Sequence, residues 1–129
     1  MKRATSRKAA RRQALYLLYQ WDLTGQELAS LYEGEPDEFA RSLAEAVSAR
    51  AEALDVRISA ASPDWPADRL GTLERNILRI GVYELEEETV PREVAINEAV
   101  VLAKRYATED AARLVNGVLA RIAREEEAA

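Results

Sequence analysis

Apolar positions in this chain recur at helical spacing along most of its length. They return every three or four residues, which is the period of one face of an α-helix. Clusters rich in glycine, proline and serine interrupt the repeats and separate one element from the next. The pattern predicts helices at 7–23, 26–33, 37–60, 70–87, 92–106 and 109–124. No alternating pattern of strand length occurs, so we expect a single all-α domain over residues 1–129.

The apolar residues also indicate how the middle helices are buried. Segment 37–60 follows Pro36, a residue suited to a helix start, and it has a single apolar face. That face consists of Phe39, Leu43, Val47, Ala51, Leu54 and Ile58. Segment 70–87 is apolar on more than one side, so we expect it to be the most buried helix. Before the last helix, Thr108 is suited to cap its first turn.

The first helix places cations and tyrosines beside its apolar face. Its core-facing residues are Ala10, Ala14, Leu17, Leu18 and Trp21. The neighbouring face carries Lys8, Arg12, Leu15, Tyr16 and Tyr19, with Arg7 and Arg11 along the boundary. Arginine and lysine contact phosphates, and tyrosines stack on unpaired bases, so this helix is a candidate RNA-binding surface. The alternative is a solvated segment with ordinary charges and half-buried tyrosines.

Charge is distributed unevenly along the chain. The first 12 residues hold six of the 18 lysines and arginines and no acid, although the whole chain has a net charge of −5. Cations at a helix N-terminus oppose the helix dipole, which marks the segment as a functional candidate. We expect a flexible basic N-terminus at 1–6 and an acidic tail at 125–129. A basic segment on an acidic body favours separate surfaces for an anionic and a cationic partner.

Several classes of function receive no support from the composition. The chain has no cysteine and no histidine, so neither a disulfide framework nor a thiolate or imidazole metal site is available. We expect no enzyme activity, no catalytic residue, no metal and no cofactor. The sequence has neither an apolar run of membrane-spanning length nor the apolar core of a signal peptide. We therefore expect a cytoplasmic protein that does not associate with membranes.

Short sequence motifs inside the predicted helices resemble those of a known family. The key motifs are Val94-Ala-Ile-Asn-Glu-Ala99 and Val115-Asn-Gly-Val-Leu119. They are preceded by Trp65, Arg69 and the run from Glu74 to Leu85, and by the basic aromatic helix from Arg7 to Trp21. Together they are similar to the NusB family of transcription antitermination factors, in the same order and over about two-thirds of the chain. Residues 22–62 show no recognisable match.

The resemblance implies a fold and a function. NusB-like proteins are bundles of about six to seven helices in two packed antiparallel subdomains. They bind boxA-type single-stranded RNA of ribosomal transcripts as a heterodimer with the ribosomal protein NusE. They act in the RNA polymerase antitermination complex with other Nus factors, and some form homodimers. By position in the family motifs, the implied RNA-binding residues are Arg7, Lys8, Arg11, Arg12 and Lys104, and the implied partner-binding residues are Tyr19 and Glu84.

The Asn116-Gly117 pair has no obvious role from the sequence. A glycine inside a helix costs roughly 1 kcal/mol relative to alanine, so something should require it. Close crossing by another helix is one explanation, and close approach of a ligand backbone is the other. Ala120 occupies a position where the family commonly has an acidic residue. We expect Asn97 and Asn116 to lie on exposed, polar helix faces.

Two other functions fit the same residues less well. The N-terminal domains of rRNA cytosine methyltransferases are also NusB-like, so the chain could be an RNA-binding module related to them. It contains no cysteine and no glycine-rich strand-turn-helix, so we do not expect a complete methyltransferase. The third option is a helical interaction module whose basic N-terminus has no role.

Overall fold

A computed structural model of the chain describes residues 6–128. Within that range there are six α-helices and two short 3-10 segments, with no strand, so the all-α prediction is confirmed. In chain order they are α1 (Arg7–Thr24), a 3-10 segment (Leu28–Leu31), α2 (Glu38–Ala49), α3 (Ala51–Ala61), a 3-10 segment (Ala67–Arg69), α4 (Thr72–Glu87), α5 (Arg92–Tyr106) and α6 (Glu109–Ala128). None of these helices combines the length and the apolar character needed to cross a membrane.

The helices form two packed subdomains, α1–α3 and α4–α6. Helix α4 contacts every other helix and lies at the centre. Its residues Ile77, Leu78, Ile80 and Val82 are almost completely buried, which confirms that the segment with apolar residues on several sides is the most buried one. Thr108 caps α6 as predicted, because its hydroxyl accepts a hydrogen bond from the backbone N–H of Ala111 at 3.0 Å.

Two predicted helices have different bounds in the structure. The single helix expected at 37–60 is divided into α2 and α3 at Arg50, whose φ of −107° and ψ of 10° leave the helical region. Residues on both sides of the break, including Val47 and Leu54, are still buried, so the chain bends and keeps one apolar face on the core. The helix expected at 26–33 is only the short 3-10 segment.

The acidic residues expected as a tail are part of the last helix, because α6 continues to Ala128. Ion pairs to other helices hold this end. Glu126 accepts a hydrogen bond from Arg57 of α3 at 2.8 Å, and Glu127 pairs with Arg92 of α5 at 3.0 Å. The predicted flexible segment 1–6 lies outside the described residues except for Ser6. That residue is the N-cap of α1, since its hydroxyl accepts from the N–H of Ala9 at 3.1 Å.

A polar junction joins three of the helices. Asp22 of α1 accepts hydrogen bonds from Arg75, Asn76 and Arg79 of α4 at 2.9–3.0 Å. Arg79 also makes a two-point contact with Asp55 of α3, at 2.7 and 2.6 Å. These contacts run between the two subdomains and fix the end of α1 against the start of α4. The opposite end of α1 lies against the end of α4, so the two helices are antiparallel.

Candidate nucleic-acid interface and partner groove

The N-terminal half of α1 presents three of the predicted RNA-binding cations to solvent. Arg7 and Lys8 are exposed and Arg12 is half-buried. Tyr16 follows Arg12 by one turn and is 57% exposed. Leu15 was expected on this face, but it is buried in the core, because the apolar face of α1 is wider than its spacing suggested. The exposed surface of α1 is therefore narrower than predicted.

Arg11 and Glu84 are buried together. The guanidinium of Arg11 donates two hydrogen bonds to the carboxylate, Nε to Oε1 and Nη2 to Oε2, each at 2.8 Å. The two side chains are only 4% and 3% exposed. This hydrogen bond raises the pKa of Arg11 above its already high ordinary value, so its charge persists at physiological pH. The expectation that Arg11 faces RNA and Glu84 faces a partner is corrected: each is the partner of the other.

Two further contacts hold the start of α1. The guanidinium carbon of Arg7 lies 4.1 Å from the centre of the Phe39 ring of α2, a cation–π geometry. Lys8 Nζ lies 3.8 Å from Glu98 Oε1 of α5, although the lysine side chain remains 67% exposed. The first turns of α1 are thus contacted by α2, α4 and α5.

A groove opens beside this basic segment. It has a volume of about 570 Å³ and a mostly apolar surface. Its lining residues are Arg12, Gln13, Leu15, Tyr16, Tyr19, Leu73 and Tyr106. Three tyrosines on two helices therefore surround one opening, with Arg12 on its edge. Tyr19, predicted as a partner contact, is half-buried in this lining.

Lys104 lies apart from this arrangement. It is exposed near the end of α5, two residues before Tyr106, but it does not line the groove. Asn97 is exposed on the same helix, as expected. Helical spacing of seven residues places Asn97 and Lys104 on one face of α5. Glu98, which contacts Lys8, is half-buried.

Gly117 is not needed for helix packing. A Cβ atom added there would meet no other atom within 4 Å, so the explanation by a close helix crossing is wrong. Asn116 is exposed, as predicted. Gly117 instead forms part of a surface cleft with Arg113, Arg121 and Trp65, and the tryptophan is 55% exposed.

The structure adds two residues that the sequence did not identify as part of the site, Phe39 and Glu98. Phe39 was assigned to the core by its spacing, but it is only partly buried, and Arg7 stacks on its ring. Glu98 lies inside the Val94–Ala99 motif, but nothing in that motif indicated a contact with Lys8. Within residues 6–128, no group of three or more acidic side chains is arranged to hold a metal ion.

The fold and the site together define an all-helical bundle with a basic helix beside a tyrosine-lined groove. Its sequence establishes the family. Residues 8–124 match the NusB family, and the chain belongs to it. The transcription antitermination protein NusB of Rubrobacter xylanophilus is 41% identical over 121 residues, covering 88% of this chain and 87% of that protein. The NusB of Myxococcus xanthus is 36% identical, covering 92% and 94%.

Solved structures agree with this assignment. T. maritima NusB superposes with a TM-score of 0.84 at 33% identity, over 95% of this chain and 94% of that one. A structure of the antitermination factors NusB and NusE in complex with dsRNA gives a TM-score of 0.80 at 33% identity, over 92% and 96%. The resemblance identified from the sequence motifs is therefore confirmed, together with its helical fold.

Proposed function

We propose that this protein is a transcription antitermination adaptor that binds boxA-type single-stranded RNA and the ribosomal protein NusE. The observation that carries the proposal is the group of the exposed Arg7 and Lys8 and the half-buried Arg12 beside the tyrosine groove. Cations supply the phosphate contacts, and exposed tyrosines supply flat surfaces on which unpaired bases stack. The related structure that contains NusB, NusE and dsRNA supports both kinds of partner.

We assign the two partners to neighbouring surfaces. RNA follows the exposed cations at the start of α1, with Lys104 as an auxiliary contact. NusE docks in the groove that contains Tyr19, where Tyr16 and Tyr106 offer further apolar area. Tyrosines suit such a surface, because they combine a large apolar ring with a polar end. Arg11 and Glu84 are left out of both surfaces, since their charged groups are buried and paired with each other.

The RNA surface is tested by replacing Arg7, Lys8 and Arg12 with alanine and titrating a labelled boxA-type oligonucleotide at several salt concentrations. Affinity should fall strongly, and the salt slope should flatten by about 0.7 for each phosphate that the variant no longer neutralises. The matched control replaces Arg50, Arg113 and Arg124, which are exposed elsewhere and change the net charge equally. Equal reductions in affinity for both triple variants would show that RNA responds to net charge and not to this surface.

The partner surface is tested with Tyr19→Ala and purified NusE. Partner affinity should fall, because the substitution removes an aromatic ring from the groove. Leu23→Ala is the control, since Leu23 is a 61% exposed apolar residue of the same helix outside the groove. Wild-type NusE affinity for Tyr19→Ala would place the partner elsewhere. Sedimentation of the protein alone reports whether a homodimer competes with this complex.

A further inference from the structure

The N-terminal end of α1 is an electrostatically unfavourable place for the basic residues that it contains. Arg7, Lys8, Arg11 and Arg12 lie in the first two turns, and the first turn contains no acidic residue. Each cation there opposes the positive end of the helix dipole. The side chain of Ser6 satisfies only one N–H of this helix end. Other parts of the fold must therefore hold these turns in place.

Helices α2, α4 and α5 each contact the start of α1. Of these three contacts, only the one with α4 is buried. Lys8 remains largely exposed beside Glu98, and Arg7 remains exposed on the Phe39 ring. The Arg11–Glu84 pair is buried and makes two hydrogen bonds of 2.8 Å. In the described part of the chain, the carboxylate of Glu84 has no other charged partner. Such a two-point contact fixes the direction of a guanidinium as well as its position.

The buried pair also sets the orientation of the other cations. Arg11 follows Arg7 by four residues and Lys8 by three, so a fixed Arg11 determines where both of them point. Arg7 and Arg11 both lie near the Phe39 ring. Arg7 stacks on this ring, and the Arg11 guanidinium lies 5.9 Å from its centre. All three residues lie on one side of α1: Arg11 contacts α4, and Arg7 and Lys8, which are nearer the end of the helix, remain exposed.

We propose that Glu84 is a positioning residue for RNA binding: through Arg11 it holds the first turns of α1 so that Arg7, Lys8 and Arg12 face the RNA. The inference rests on the proposed RNA-binding function. Arg11 itself makes no phosphate contact, because its side chain is only 4% exposed and is paired with Glu84. An interface that is ordered before binding loses less conformational entropy when the RNA arrives. The fold thus uses one buried cation to orient Arg7, Lys8 and Arg12.

The test compares two substitutions at the pair, using the isolated protein and a labelled boxA-type oligonucleotide. Glu84→Gln keeps the shape of the side chain but weakens its hold on Arg11. RNA affinity should fall on the order of tenfold, equivalent to about 1.4 kcal/mol. The salt slope should stay the same, because no phosphate contact is removed. Hydrogen exchange should become faster in the first turns of α1, and the control Glu86→Gln on the exposed side of α4 should show neither change.

The double variant Arg11→Met/Glu84→Leu separates positioning from direct contact. It replaces the buried pair with apolar side chains of similar volume, a change that is often neutral for stability. We expect RNA affinity and salt slope close to the wild-type values. A double variant whose salt slope flattens, as that of the Arg7, Lys8 and Arg12 triple variant does, would overturn the proposal, because the Arg11 charge would then be one of the phosphate contacts. This variant decides the question even if Glu84→Gln does not fold.

The experiments distinguish an error in the proposed RNA surface from an error in the role of Glu84. If the triple variant itself binds RNA with wild-type affinity, α1 is not the RNA surface and the proposed function is wrong. If the triple variant loses affinity but Glu84→Gln does not, while exchange in its α1 still becomes faster, only the positioning role of Glu84 is wrong.

Discussion

Leu119 of α6 packs directly on Gly81 of α4. A Cβ atom at Gly81 would lie 2.6 Å from Leu119 Cδ1, which is closer than real Cβ contacts allow. Leu119 is completely buried, so it has little room to move away. The central helix therefore contains one glycine that a neighbouring helix requires, whereas Gly117 on α6 faces open space.

These two glycines should respond oppositely to alanine. Gly81→Ala should lower the stability, because overpacking costs about 1–3 kcal/mol and the gain in helix propensity is only about 1 kcal/mol. Gly117→Ala should raise the stability by up to about 1 kcal/mol. Urea unfolding of both variants measures the difference. If Gly117→Ala is the less stable of the two, the cleft at Gly117 is more tightly packed than the structure shows.

A similar contrast applies to Ile77 and Asn116. Ile77 is completely buried in α4, so Ile77→Ala should cost on the order of 2–5 kcal/mol. Asn116 is exposed, and Asn116→Ala should change the free energy of unfolding by no more than about 0.5 kcal/mol. Thermal melts of the two variants provide the test. The reverse order would mean that Asn116 makes a buried polar contact.

Glu84→Lys should be severely destabilising. It would bury a second cation beside Arg11 in place of the carboxylate, and breaking a buried ion pair costs about 3–5 kcal/mol. The family resemblance implied a partner-binding role for Glu84, whereas its burial makes the residue part of the fold. Glu88→Lys is the matched control, because its carboxylate is exposed and surface pairs contribute less than about 1 kcal/mol. Equal melting temperatures for the two variants would contradict the prediction.

The polar junction should make stability depend on pH. Burial raises the pKa of Asp22, but hydrogen bonds from Arg75 and Asn76 outweigh it, and the pKa lies below its ordinary value. A carboxyl with a lower pKa in the folded state than in the unfolded state contributes stability that is complete above about pH 4. That contribution disappears as the pH falls through the folded-state pKa.

Asp22→Asn should therefore reduce the stability more at pH 7 than at pH 3. Urea titrations over this pH range measure the effect. Asp64→Asn, at an exposed carboxyl outside the polar junction, is the control and should reduce the stability at pH 7 less than Asp22→Asn does. A constant difference between wild type and Asp22→Asn at all pH values would show that Asp22 does not contribute through its charge.

Binding of RNA and NusE should be coupled. The isolated chain has a net charge of −5, so its acidic body repels RNA while the start of α1 attracts it. A basic partner in the tyrosine groove would reduce that repulsion. RNA affinity should then rise by roughly 5- to 150-fold, the range for coupling of about 1–3 kcal/mol, and RNA should tighten NusE binding by the same factor. Identical RNA affinity at zero and saturating NusE would contradict a cooperative adaptor.

The sequence by itself determined the class of fold and most of its elements. Helical periodicity depends on neighbours three and four residues apart, so it is present in any local window. For this reason it identified α4 as the central helix, Asn116 as exposed and Thr108 as a cap. Short motifs also identified the NusB family, because the motifs and their order along the chain can be recognised without knowing how the helices pack.

The tertiary structure decided how the charged residues are used. Arg11 and Glu84 are 73 positions apart, and their meeting depends on the antiparallel packing of α1 on α4. Spacing could place each residue on a helix face, but it could not show that the two faces meet. The same reason explains why the sequence could not distinguish Gly81 from Gly117: both lie inside predicted helices, and only Gly81 is in contact with another helix. Whether a glycine is needed depends on the helix that packs against it, and that helix is contributed by a distant part of the chain.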